Sequence, residues 1–114
     1  MLKLATLTMS IFGLATAASA AVPMLYEERF ARNEESKIIT SPIAGIQNSL
    51  WFDYRINVLE SKKELSGDLR RATDIEDRRD AWEEYAVELK HERVHYTKKM
   101  AKKGYRMGNV TIVD

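Results

Sequence analysis

Apolar residues in the C-terminal half of the chain recur at the spacing of an α-helix. On a helical wheel one narrow face collects Ile75, Trp82, Ala86, Leu89, Tyr96 and Met100. Thr73 and Glu76 have the spacing of a capping box, in which each side chain bonds to the other's backbone N–H. Lys102 and Lys103, followed by Gly104, are typical of a helix end. The pattern predicts one long helix over residues 74–103.

The segment before this helix carries two conflicting periodicities. A helical face is formed by Leu50, Tyr54, Val58, Leu65, Leu69 and Ala72. Residues 52–58 also alternate between apolar and polar side chains, as a strand would. No turn signal or partner strand accompanies the alternation, so we favour a helix and keep the strand as the alternative. Ser41 and Pro42 are typical of a helix start, which predicts a helix over residues 42–72.

The short link between these two helices predicts an antiparallel pair. If residues 42–104 fold about residue 73, Leu50 lies opposite Tyr96. Residues 21–41 are predicted as a short helix over 23–32 and an extended linker. Residues 105–114 are predicted as a C-terminal tail, whose segment 110–113 could pair as a short strand with residues 37–40. The predicted fold class is therefore mainly α, an antiparallel two-helix hairpin with a short N-terminal helix and a short extended C-terminal tail, after an N-terminal signal peptide.

The N-terminal segment has the three parts of a secretory signal. Lys3 is its one charge, an apolar stretch follows, and Ala18, Ser19 and Ala20 form a small-residue cleavage site. We therefore expect residues 1–20 to be a signal peptide and the protein to be periplasmic or secreted, in a bacterium. The alternative is that residues 4–26 remain as an inner-membrane anchor, because about 20 apolar residues suffice to span a bilayer.

Composition excludes several function classes. The chain contains no cysteine, which removes disulfides, thiol catalysis and thiolate metal sites. Its 18 basic and 17 acidic residues give a net charge of +1, so there is no general attraction to nucleic acid. We expect no nucleic-acid partner, and membrane contact only if the N-terminal segment is not cleaved.

Both histidines of the chain lie in one short motif. His91, Glu92 and His95 match the pattern H-E-x-x-H, which on a helix places two imidazoles one turn apart with a carboxylate beside them. The motif resembles the active-site helix of the zincin group of zinc metallopeptidases. The resemblance implies zinc as cofactor, His91 and His95 as ligands, and Glu92 as the general base that activates a metal-bound water.

The helical wheel places this motif away from the predicted core. His91 and His95 fall opposite Leu89 and Tyr96, on a charged face beside Glu88. Glu88, His91 and His95 could then form a surface metal site, while a solvated helix face without metal is the simpler interpretation. We expect no cofactor, with zinc as the alternative.

The predicted first helix carries more apolar side chains than one partner helix can cover. Trp51, Phe52, Ile56 and Leu59 lie largely off the face formed by Leu50, Tyr54 and Val58. A helix that is apolar on two sides needs a second partner. That partner is either another part of this chain or a separate protein chain.

The sequence thus favours a small exported helical protein that acts through protein–protein contact, as an accessory or binding subunit. The predicted contact residues are Trp51, Phe52, Ile56 and Leu59, and the partner is another protein or a second copy in a homodimer. The first alternative is a minimal zinc-dependent hydrolase using residues 91–95. The second alternative is a membrane-anchored small subunit of a membrane complex.

Overall fold

Three α-helices make up most of the structure, a computed structural model that describes residues 23–107. They are α1 (Tyr26–Glu35), α2 (Ser49–Arg71) and α3 (Ile75–Lys102), and a short 3-10 turn lies at Ile43–Gly45. No strand occurs between residues 23 and 107, and the prediction of a mainly helical chain is confirmed. The predicted signal peptide and the tail segment 110–113 lie outside the described residues.

Helices α2 and α3 pack side by side in opposite directions. The ring of Tyr54 stacks on that of Tyr96 with centroids 4.9 Å apart. Farther along α2 and earlier in α3, the Ser61 hydroxyl donates to the Glu88 carboxylate at 3.1 Å. Tyr54, rather than the predicted Leu50, therefore lies opposite Tyr96.

Helix α2 begins later than the Ser41–Pro42 pattern predicts. Ala44 and Gly45 have φ angles of 55° and 71°, in the left-handed region, so the chain cannot continue there as an α-helix. The helix begins after Asn48, whose side-chain oxygen accepts a hydrogen bond from the Trp51 N–H at 3.1 Å. The strand alternative for residues 52–58 is wrong, because that segment lies inside α2.

The ends of α3 agree with the sequence pattern to within one residue. Asp74, rather than Thr73, is the N-cap, and it accepts from the Asp77 N–H at 2.8 Å. At the other end Gly104 has a φ of 95°, and Tyr105 N–H donates to the Met100 carbonyl at 2.9 Å. This is a Schellman motif, and it confirms the predicted glycine C-cap.

Helix α1 packs along α3 in the same direction. It spans Tyr26–Glu35, shifted from the predicted 23–32. Near its start Glu27 pairs with Arg79 at 3.0 Å, and near its end Glu34 pairs with Arg93 at 2.7 Å. Helix α3 thus carries α1 on one side and α2 on another, which places it at the centre of the fold.

The connection from α1 to α2 is held by two core tyrosines. The Ile39 N–H donates to the Tyr54 hydroxyl at 2.9 Å, and the Ile43 N–H donates to the Tyr96 hydroxyl at 3.0 Å.

Most residues of the predicted α3 face are buried, but Ile75 is exposed. The core consists of Ala31, Ile43, Trp51, Tyr54, Val58, Leu65, Ala81, Trp82, Tyr85, Ala86, Leu89, Tyr96 and Met100.

Candidate functional site

The two histidines lie in solvent on the outside of α3, where the helical wheel predicts them. Both are exposed, and their rings lie nearly parallel with centroids 6.2 Å apart. Among residues 23–107, no enclosed cavity surrounds them. His91 lines an open groove between α2 and α3, and most of that groove's other lining residues are polar or acidic.

The remaining residues of the motif are engaged in helix packing. Glu92 accepts a hydrogen bond from the Asn57 side-chain amide at 3.0 Å, which directs its carboxylate toward α2. Arg93 donates to Glu34 of α1 at 2.7 Å. The residues beside the histidines therefore stabilise the packing of α1 and α2 against the central helix.

Glu88, the third predicted ligand, lies among carboxylates. Glu64, Glu84 and Glu88 have carboxylate oxygens within 4.8 Å of one another. Between residues 23 and 107, no other group of three or more acidic or histidine side chains is as close. Burial raises the pKa of the Glu88 carboxyl, and the negative charges of Glu64 and Glu84 raise it further. The structure does not bring Glu88 together with both imidazoles in a three-donor site.

A polar cluster between α1 and α3 was not predicted from the sequence. The Tyr85 hydroxyl donates to Glu35 at 2.6 Å, and the Arg32 guanidinium donates to the same carboxylate at 2.9 Å. Burial pushes the pKa of Glu35 upward, but these two hydrogen bonds outweigh it and hold the pKa below its usual value. Burial, together with the neighbouring Glu35 carboxylate, raises the pKa of the Tyr85 hydroxyl. The cluster is structural, since every group in it is paired.

Trp51 is the one predicted contact residue that the structure places in the core. It is only 5% exposed, and its ring lies 5.8 Å from that of Tyr96. The prediction that it lies off the packed face of α2 is wrong, because α3 covers it. It is among the residues that line a shallow groove beside α2, but so little of it is exposed that it offers a partner almost no surface.

The other three predicted contact residues form an exposed apolar face, which we call the outer α2 face: Phe52, Ile56 and Leu59. These residues are 44%, 52% and 58% exposed. The spacing of four and then three residues places them on one side of the helix. That side is opposite the stripe that packs against α3, which includes Tyr54, Val58 and Ser61.

A shallow groove continues the outer α2 face toward the linker before α2. Ile38, Ile39 and Thr40 form one wall, and Leu59 and Lys62 form part of the other. Ile38 and Ile39 are half-buried and pack against the core. Apolar surface therefore extends from the helix onto the neighbouring segment.

Comparison with protein-family models, with curated proteins and with solved structures finds no match to this chain. None of the helices within residues 23–107 is both long enough and apolar enough to cross a membrane.

Proposed function

We propose that this is a small exported helical protein that acts by contact with another protein chain through the outer α2 face. The observation that carries the proposal is the exposure of Phe52, Ile56 and Leu59 on the side of α2 that no other described element covers. Scattered apolar residues are normal on a surface, but three large ones in one helical row are typical of a contact site.

The energy available from this face is appreciable. Complete burial of a large apolar side chain contributes roughly 1.5–3 kcal/mol. About half of each of these residues is still exposed, so a partner can contribute about half of that energy. A partner that covered the row would thus add on the order of 1 kcal/mol per side chain. Ile38 and Ile39 in the adjoining groove enlarge the apolar area that a partner could cover.

The zinc-hydrolase alternative has less support from the geometry. A catalytic zinc requires three protein ligands and oriented supporting groups. His91 and His95 are exposed, the Glu92 carboxylate is bonded to Asn57, and Glu88 belongs to the carboxylate group. The membrane-anchored alternative depends on residues before 23, and the N-terminal residue of the mature protein decides it.

Site-specific photo-crosslinking in the producing cell tests the proposed function. A photoreactive amino acid at position 56 should yield a discrete adduct with a second protein chain. The matched control is position 87, since Val87 is an apolar residue on α3 that is at least as exposed as Ile56. Adducts of equal yield at both positions, or none at position 56, would contradict the proposal.

A further inference from the structure

We infer that the chain covering the outer α2 face is a second copy of this protein, paired through parallel α2 helices. The inference rests on the proposed function, because it names the occupant of the same surface. The charges beside the apolar row are arranged so that two copies of α2 complement each other.

The outer α2 face has the spacing of a coiled-coil seam. Phe52 and Ile56 are four residues apart, and Ile56 and Leu59 are three apart, as are successive d, a and d positions of a heptad. All three lie inside the continuous helix Ser49–Arg71. The residues that flank such a seam occupy the e and g positions.

The two flanks of the seam carry opposite charges. Asp53 and Glu60 occupy the e positions, and Arg55 and Lys62 occupy the g positions. None of these four side chains forms an ion pair within residues 23–107, although ion pairs occur on each of the three helices. An acidic row and a basic row thus border the apolar row. The Arg55 guanidinium lies over the Trp51 ring at 5.8 Å, but neither row is paired with an opposite charge within the described residues.

This arrangement complements itself in one orientation only. A two-fold axis parallel to α2 places the acidic flank of each helix against the basic flank of the other. Arg55 then faces Glu60 of the second copy, and the symmetry gives this pair twice. An antiparallel pair would place each flank against itself and would bring like charges together.

Within residues 23–107, helix α3 does not obstruct this pairing. Helix α3 packs against the opposite side of α2, through residues such as Tyr54 and Val58. The groove that Ile38 and Ile39 share with Lys62 lies on the basic side of the seam. It would receive the acidic flank of the second copy.

The size of the surface predicts a weak association. A permanent interface covers about 800 Å² on each partner, more than one row of three side chains can provide. We therefore expect an equilibrium between monomer and dimer that shifts with concentration between the micromolar and millimolar ranges.

Disulfide trapping tests the orientation of the pair. The chain has no cysteine, so any disulfide must come from an introduced thiol. An equal mixture of the full-chain variants Ile56→Cys and Leu59→Cys, distinguishable by mass, is oxidised mildly. Parallel pairing predicts that same-position disulfides exceed mixed ones, and Val87→Cys should give neither. A predominance of mixed disulfides would overturn the parallel arrangement.

Charge reversal tests whether the partner is a second copy of this chain. Glu60→Lys should weaken dimerisation by about tenfold, because two symmetry-related attractions become repulsions and each tenfold change corresponds to about 1.4 kcal/mol. Arg55→Glu combined with Glu60→Lys should restore the dimer measured by sedimentation. A chain that remains monomeric at every concentration would overturn the inference. In that case, a crosslinked adduct between position 56 and a different protein would still support the proposed function. The absence of any adduct would contradict both the proposed function and the dimer.

Discussion

Glu88 lies between α2 and α3 with a carboxylate on either side. Its own carboxylate accepts the Ser61 hydroxyl, and Glu64 and Glu84 complete the group. Burial and the two neighbouring charges raise its folded-state pKa above the ordinary value. The folded protein therefore binds this proton more readily than the unfolded chain does. The resulting stabilisation is complete at acidic pH, and it is lost as pH rises through the folded-state pKa.

Removing one charge from this group should stabilise the protein at neutral pH. Glu84 and Glu88 are four residues apart on α3, and such like-charged pairs cost about 0.2–0.5 kcal/mol. We expect Glu84→Gln to raise the free energy of unfolding by about that amount at pH 7 and by less at pH 4. Urea denaturation at both pH values measures the change.

Glu83→Gln is the matched control, because Glu83 is an exposed neighbour outside the carboxylate group. Glu35 has a lowered pKa and loses its stabilisation as pH falls, so variants must be compared at the same pH. An equal gain from both substitutions at both pH values would show that the carboxylates do not interact.

Trp51 shows why the candidate site could be predicted only in part. The helical wheel of α2 is sufficient to predict that Phe52, Ile56 and Leu59 are exposed. Trp51 lies at the edge of the stripe that packs against α3, where the helical wheel does not determine whether a side chain is buried or exposed. Its burial depends on Tyr96, a residue of another helix whose register the sequence does not reveal.

Helix α3 is the element that the sequence defines best. Its apolar period, its acidic N-terminal turn and Gly104 are all local signals, and they agree with one another. The start of α2 is different, because Ser41 and Pro42 carry a local signal that the folded chain does not use. The linker is held in a non-helical path by long-range hydrogen bonds, which the Ile39 and Ile43 N–H groups donate to the hydroxyls of Tyr54 and Tyr96.

The observed start of α2 predicts which polar residue stabilises it. Asn48→Ala should lower the free energy of unfolding by about 1 kcal/mol, because the Trp51 N–H loses its capping acceptor. Ser41→Ala should change it by less than about 0.5 kcal/mol, because Ser41 is exposed and caps no helix. Thermal or urea denaturation compares the two variants. A larger loss for Ser41→Ala would mean that the helix starts where the sequence pattern places it.

The whole molecule is organised around α3. Helix α1 is fastened to it by paired charges, and α2 is fastened to it by stacked aromatic rings and by polar contacts from Asn57 and Ser61. The largest exposed row of apolar side chains on α2 is consequently directed away from the body. The exposed histidines lie on the central helix itself, and residues 23–107 offer them no third donor that would complete a zinc site.

Native mass spectrometry of the protein purified from its own host compares the two leading functions in one measurement. Contact through the outer α2 face predicts a complex of the mature chain with a second protein chain and no bound zinc, and if that chain is a second copy the fraction of the complex increases with protein concentration. The same measurement on Ile56→Ser should show the chain alone. A wild-type chain that is monomeric and carries one zinc ion, lost in His91→Ala, would contradict the account and support the hydrolase.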